Sequence, residues 1–310
     1  LPATLAKEIT TTLLREKLGF NGLVVTDATA MAGFALPMPR EKAVPTAIAA
    51  GCDMFLFTRN MDEDFYFMKK GIEEGVITSE RLDEALTRIL GMKAALKLHT
   101  KQQNNELAPN LERAKEIIGN AKHQEWAKEC ADKSITLVKE EKGVLPISVE
   151  KHKRVLFYNL ENTGSFFDGN NVTEEFRKLL ENEGFEIEVF NANKGMEGMM
   201  TPSKDVLGKY DLIIYVANII TKSNQTTVRI EWAMPMGINI PIYLTSIPTI
   251  FVSVENPYHL LDIPRVKTYI NAYSSGENIL KEIVEKLMGR SEFKGTNPVD
   301  PFCGKWDTRL

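Results

Sequence analysis

Short runs of apolar, largely β-branched residues, each the length of one strand and free of polar interruption, set the terms on which this chain can fold. The first two are Gly22-Leu23-Val24-Val25-Thr26 and Met54-Phe55-Leu56-Phe57, with the alanine-rich stretch 41–50, stopped by Gly51, between them. A strand that is apolar without alternation is buried on both faces, the condition of a parallel strand covered by helices. Before the first run, Leu5, Ile9, Leu13, Leu14 and Leu18 fall at helical spacing and Gly19 supplies a stop, so a helix is expected over 5–18. Helices over 62–74 and 79–98 follow, in βαβα order with right-handed crossovers.

Residues 99–110, rich in Gln and Asn and holding Pro109, read as a linker, after which helical stretches run to about residue 132. Ile135-Thr136-Leu137-Val138 opens a second series of strands, at 155–159, 187–190, 212–217, 250–254 and 268–272, separated by helical segments such as 173–182 and 277–288. That alternation predicts a three-layered αβα sandwich with a mainly parallel sheet. The expected division is therefore 1–98, a linker with connecting helices over 99–133, and 134–310.

A length of 310 residues with 43% hydrophobic and 26% charged content suits two packed units. The net charge of -4 and the scattered Lys and Arg residues give no field for a phosphate backbone, which argues against nucleic acid as a partner. No run approaches the roughly 18 apolar residues of a membrane span. The first residues, Leu1-Pro2-Ala3-Thr4, show no signal peptide and leave the compartment open between cytoplasm and cell envelope or secretion. Cys52, Cys130 and Cys303 are odd in number and far apart, which speaks against a disulfide framework and a zinc site; free thiols are expected, two of them in the core.

In parallel α/β folds the loops after strand C-termini converge on the face where chemistry is done. Asp27 stands there, ending a dry strand and preceding the small residues Ala28, Thr29 and Ala30, so its carboxylate is placed to attack an electrophilic carbon; a helix N-cap or turn residue is the plain alternative. Arg59 and Asn60 follow the second strand onto the same face. Arg59 is placed to contact a substrate hydroxyl or carboxylate, unless it pairs with Asp62 or Glu63, and Met31 is placed beside a substrate or serves as a gap filler.

Several stretches carry a family resemblance. Leu1-Pro2-Ala3-Thr4-Leu5, then Leu13-Leu14-Arg15-Glu16, Leu18-Gly19-Phe20 and Gly22-Leu23-Val24-Val25-Thr26-Asp27 with Met31, together with Ala49-Ala50-Gly51-Cys52-Asp53-Met54, resemble the end of the catalytic barrel in glycoside hydrolase family 3. Ser134 to Lys139 with Leu145-Pro146-Ile147, Val252 to Tyr258, and Ala272-Tyr273-Ser274 resemble that family's second domain. The resemblance implies the last two βα units of a (β/α)8 barrel over 1–98 and a retaining glycosidase with Asp27 as covalent nucleophile, needing neither metal nor organic cofactor. Thr26-Asp27-Ala28 with Met31 is similar to the β-N-acetylglucosaminidase branch, whereas the β-glucosidases usually carry Ser-Asp-Trp here. The substrates implied are terminal β-linked GlcNAc residues of peptidoglycan or chitin-type fragments.

The chain departs from that branch in lacking the Lys-His-Phe-Pro-Gly-His-Gly type of motif that supplies the general acid/base; His99, His123, His152 and His259 stand in other contexts. The expectation is an incomplete enzyme, inactive alone, whose partner is an N-terminal barrel segment absent or on a separate chain. The competing expectations are a non-catalytic binding fragment and a β-glucosidase. Two barrel strands cannot close a barrel, and Val24, Val25, Phe55 and Phe57 call for a covering segment.

Other candidates have plain readings. The loop at 164–171 lacks the Lys and Ser/Thr of a phosphate cradle. Glu140 and Glu141 are a solvated strand end, Trp126 beside His123 is a packing residue, and 231–237 is a packing helix ended by Pro235.

Overall fold

The computed structural model describes residues 1–161, 171–191, 203–221, 228–234 and 236–310. The chain divides into two compact units, Leu1–Lys115 and a second made of Glu116–Thr221 with Thr226–Leu310. It is a mixed α/β fold with a mainly parallel six-stranded sheet.

In the first unit a 3-10 turn, Ala3–Leu5, and a π-helix, Glu8–Lys17, replace the single α-helix expected over 5–18. The cause lies in Thr10-Thr11-Thr12, whose branched side chains crowd an α-turn. The Thr10 and Thr11 hydroxyls donate instead to the carbonyls of Ala3, at 2.8 Å, and Ala50, at 2.7 Å. Then follow α1 (Ala32–Ala35), α2 (Arg40–Ala50), α3 (Met61–Glu73), α4 (Ser79–Ala95) and α5 (Leu98–Gln103). The helix expected over 79–98 stops short because Lys97 turns left-handed, with φ 54°, and α5 then occupies part of the expected linker. Helices α2 and α3 lie close at Gly71, where an added Cβ would stand 2.4 Å from Pro45.

The two strands expected here do not form a ladder. Val25 and Met54 make one parallel bridge, supported by Asp53 N–H on the Val24 carbonyl at 2.7 Å and Thr26 N–H on the Met54 carbonyl at 3.0 Å. Parallel pairing is stable when strands flank both edges, and among the described residues neither segment has a second strand neighbour. Val25, Met54, Leu56 and Phe57 remain exposed.

The second unit contains α7 (Ala121–Ser134), β1 (Thr136–Lys139), α8 (Val149–His152), β2 (Arg154–Glu161), α9 (Val172–Asn182), β3 (Glu186–Val189), α10 (Ser203–Leu207), β4 (Leu212–Asn218), β5 (Thr249–Ser253), β6 (Thr268–Asn271) and α11 (Glu277–Leu287); α6 (Leu111–Ile117) spans the division. The strand order is β1-β6-β5-β4-β2-β3, with β1 antiparallel to β6 and every other pair parallel. Alternate residues build two cores. Val155, Phe157, Leu212, Ile214, Ile250 and Val252 meet Phe176 and Leu180 of α9 and Leu280, Ile283 and Leu287 of α11. Leu156, Tyr158, Ile213, Tyr215, Phe251 and Tyr269 meet Ile219, Ile230, Ile247, Leu260 and Val266 on the other face.

On that second face the aromatic rings sit in register across the sheet. Tyr158 stacks on Tyr215 at 4.2 Å, Tyr215 on Phe251 at 6.0 Å and Phe251 on Tyr269 at 5.4 Å, following the strand pairing residue for residue. The buried Lys286 of α11 ion-pairs with Asp132 of α7 at 3.0 Å and with Glu282 at 3.2 Å.

Several expectations need correction. Among described residues 228–234 and 236–248 there are turns and no helix, with Gly237 left-handed and Pro241 and Pro248 interrupting any regular winding. Trp126 is not core: it is 49% exposed, with His123 stacked on it at 5.5 Å and the Lys122 ammonium 5.0 Å from its ring centre. Only Cys52 is buried; Cys130 is exposed and Cys303 half-buried. The loop 164–171 lies outside the described residues except for Asn171, whose side chain accepts from Glu174 N–H at 3.4 Å. Glu141 is half-buried and pairs with Lys267 at 3.0 Å.

Two measurements follow from this packing. Phe176→Ala removes a ring wholly buried against Phe157 and should lower the unfolding free energy of the second unit by about 3–5 kcal/mol in urea titration, a loss under 1 kcal/mol being incompatible with the packing described. Burial first, and the neighbouring Asp53 charge second, push the Cys52 thiol up to about 11, so at pH 8 it stays protonated. Iodoacetamide should alkylate Cys130 in the native protein and Cys52 only after denaturation, as read by peptide mass.

Candidate functional site

The site grows from the segment that carries Asp27, which two buried carboxylates hold from either side. Upstream, the Asp53 side chain is fully buried and its charge is met by three guanidinium groups: Arg15 at 2.6 Å, Arg81, and Arg88 at 3.5 Å. The same carboxylate accepts from Val24 N–H at 2.8 Å, while Val24 takes the Asp53 N–H on its carbonyl. Arg15 also reaches the Gly22 and Gly51 carbonyls, at 3.2 and 3.1 Å, and Arg81 reaches those of Ile48, at 3.1 Å, and Cys52, at 3.2 Å. The segment 22–26 is thus fixed by charge and backbone bonds where a sheet would otherwise fix it.

Downstream, Asp64 of α3 is wholly buried and pairs with Arg40 of α2. Its second oxygen accepts from the Thr29 hydroxyl at 3.0 Å, and Arg40 donates to the Thr29 carbonyl at 2.7 Å. Between these anchors Asp27 is exposed, its carboxylate accepting from Ala28 N–H at 2.7 Å, the contact of a turn residue. The Thr26 hydroxyl donates to the Asp27 carbonyl at 2.8 Å and accepts from Leu56 N–H at 3.3 Å. A rigid backbone with a free carboxylate at its tip is an arrangement suited to nucleophilic attack.

Arg59 lies on the adjoining loop, its N–H bonded to the Thr29 hydroxyl at 2.8 Å, so the loops of Asp27 and Arg59 leave the bridge side by side. Its guanidinium is exposed and, among the described residues, makes no ion pair; Glu63 is taken by Arg40 at 3.1 Å. Asn60 caps α3 through Glu63 N–H at 2.9 Å. Met31 is half-buried and starts α1, its carbonyl accepting from Phe34 and Ala35 N–H at 3.0 and 2.9 Å. A cleft of about 630 Å³ opens at the other end of the segment, beside Asn21, Leu23, Glu84 and Arg88, and neither Asp27, Met31 nor Arg59 lines it.

The sequence points to Asp27, Arg59 and Met31, and the structure adds Thr29, Arg40, Asp53 and Asp64 as the residues that hold their segments. Asp64 follows Asp62 and Glu63 in the first turn of α3, where acids are ordinary solvated residues. The available signal is the spacing of Arg81 and Arg88, seven residues apart on one face of α4 and directed at a single acid.

Residues 1–92 match the model of the glycosyl hydrolase family 3 N terminal domain. The chain is 52% identical over 313 residues to a β-N-acetylglucosaminidase/β-glucosidase of Cellulomonas fimi, covering all of this chain and 55% of that protein. A solved structure of a β-glucoside phosphorylase, BglX, superposes with a TM-score of 0.83 at 44% identity, over 100% of this chain and 54% of that one. The family 3 β-N-acetylglucosaminidase of Paenibacillus sp. str. FPU-7 shares the fold, with a TM-score of 0.68 at 20% identity over 97% of this chain and 55% of that one. The chain thus spans about half the length of the relatives it matches.

The buried charge cluster makes a quantitative expectation. Asp53→Asn leaves Arg15 without its carboxylate partner and Arg81 and Arg88 with only the exposed Glu84, at 2.7 and 3.7 Å, and should destabilise the first unit by about 3–5 kcal/mol, while Glu73→Gln, in an exposed pair with Lys69, should change stability by less than about 0.5 kcal/mol. Pulse proteolysis in urea, following cleavage within 1–115, measures both; equal effects would contradict the burial argument.

Proposed function

Since the chain belongs to glycoside hydrolase family 3, we propose that it forms part of a retaining β-N-acetylhexosaminidase in which Asp27 is the covalent nucleophile. The observation that supports this most is the exposed Asp27 carboxylate on a backbone anchored at Val24 and Thr29, within the span matched by the family model. In the first step the carboxylate attacks the anomeric carbon as the bond to the leaving oxygen breaks, and that oxygen takes a proton from an acid. In the second step water attacks the same carbon, gives up a proton to the conjugate base, and frees Asp27 with net retention. Arg59, on the adjoining loop with a free guanidinium, binds a sugar hydroxyl or a carboxylate of the substrate, and Met31 lines the sugar side.

The acid/base belongs, in this reading, to a barrel segment outside these 310 residues, the same segment that covers Val25, Met54, Leu56 and Phe57. Residues 1–98 then act as the closing βα units of a (β/α)8 barrel, and residues 134–310 as an αβα sandwich domain. Terminal β-linked GlcNAc of peptidoglycan or chitin-type fragments is the proposed substrate; the double name of the Cellulomonas fimi relative keeps β-glucosides as an alternative. A second reading is favoured by the likeness to a β-glucoside phosphorylase: inorganic phosphate replaces water in the second step, and the product is a sugar 1-phosphate.

A 2-fluoro or 5-fluoro glycosyl inactivator should add one sugar mass to the native protein with its intact barrel, on the peptide holding Asp27, and none to Asp27→Ala. Equal labelling of the variant would remove Asp27 from the role. Turnover of p-nitrophenyl β-GlcNAc and β-glucoside, each with and without phosphate, separates the remaining readings, since only the phosphorolytic one yields sugar 1-phosphate.

A further inference from the structure

Thr29 is wholly buried and every polar atom it owns is engaged across the two loops of the site. Its N–H donates to the Phe57 carbonyl at 3.1 Å, and its hydroxyl accepts from Arg59 N–H at 2.8 Å while donating to Asp64 at 3.0 Å. Its carbonyl accepts from Arg40, which closes the circuit by pairing with Asp64. Among the described residues, no other hydrogen bond or ion pair ties residue 59 to the segment of Asp27.

The partner loop has an unusual need for this tie. Phe57 is left-handed, with φ 54°, a conformation disfavoured for a residue with a side chain, and its ring is 72% exposed, so packing does not impose it. What holds it is the backbone bond from Thr29 N–H and, two residues on, the bond from Arg59 N–H to the Thr29 hydroxyl. Because Asp64 is buried and pairs with the half-buried Arg40, Thr29 is itself fixed to α3 and α2 and cannot follow either loop if it moves.

We propose that Thr29 is a positioning residue that sets the spacing between the Asp27 carboxylate and the Arg59 loop, so that both address the same sugar; this rests on the reading of Asp27 as the nucleophile. A hydroxyl at this position donates and accepts at once, which neither a carboxylate nor an ammonium can do. Valine at 29 keeps the shape and loses both bonds, serine keeps both bonds and loses only the methyl group.

The test combines amide exchange with kinetics on the protein that carries the intact site. In Thr29→Val, peptides covering 26–31 and 57–60 should exchange about tenfold faster or more, since the hydroxyl bonds to Arg59 N–H and Asp64 are gone and only the backbone bond to Phe57 remains. The rate of covalent labelling on Asp27 should fall about 10- to 100-fold with KM within about threefold, a displacement of order 1 Å being enough. Thr29→Ser should stay within about threefold of wild type in both readouts. Thr29→Cys, similar in size but a weak hydrogen-bonder, carries the same comparison if the valine variant does not fold. Unchanged exchange in the variant overturns the tie whatever Asp27 does, and faster exchange with an unchanged labelling rate overturns the positioning role. Failure of the wild type to label at Asp27, with the exchange difference present, removes the nucleophile reading and the role that rests on it while leaving the tie standing.

Discussion

A carboxylate withdrawn from water has to find its solvation inside the protein, and in the first unit the way Asp53 does so organises everything around it. Its two oxygens gather the guanidinium groups of Arg15, Arg81 and Arg88, drawn from the π-helix and from α4, and still accept the Val24 amide. Each ionised partner offsets part of the desolvation that burying the others costs, so the cluster is stable as a set and fragile to the loss of one member. The segment that ends in Asp27 needs such a clamp because its hydrogen bonding to the neighbouring segment is that of a single bridge. Charge supplies here the rigidity that a full parallel ladder supplies elsewhere.

The second unit solves the same problem of order by packing. Its central strands are buried on both faces, their alternate residues feed two separate cores, and the row of rings on one face repeats the strand register. A one-residue slip would carry Tyr158, Tyr215, Phe251 and Tyr269 to the opposite face and break up the row of rings, so the row strongly specifies a single pairing.

Much of this was legible in the sequence, and the failures share a cause. The strands of the second unit were readable because an apolar run buried on both sides has no other stable fate, and β2, β4, β5 and β6 fall within a residue or two of the expected limits. The runs at 22–26 and 54–57 have the same composition, yet composition does not say whether a neighbouring strand is at hand, and pairing depends on neighbours. Trp126 went astray because helical spacing shows that residues share a face without showing whether that face is covered. Asp27 and Arg59 could be found from their position after apolar runs. Thr29 and Asp64 could not, because a buried threonine and a buried aspartate look like a turn residue and a helix-start acid until the chain brings residues 35 positions apart into contact.

The row of stacked rings has an optical consequence. Chromophores held 4.2 to 6.0 Å apart in fixed orientation do not absorb independently, so one line of side chains crossing four strands makes its own contribution to the near-ultraviolet circular dichroism of this chain. That contribution reads the alignment of β2, β4, β5 and β6 directly, and a state that kept its strands but lost their relative register would keep its backbone spectrum and lose this part of the longer-wavelength signal.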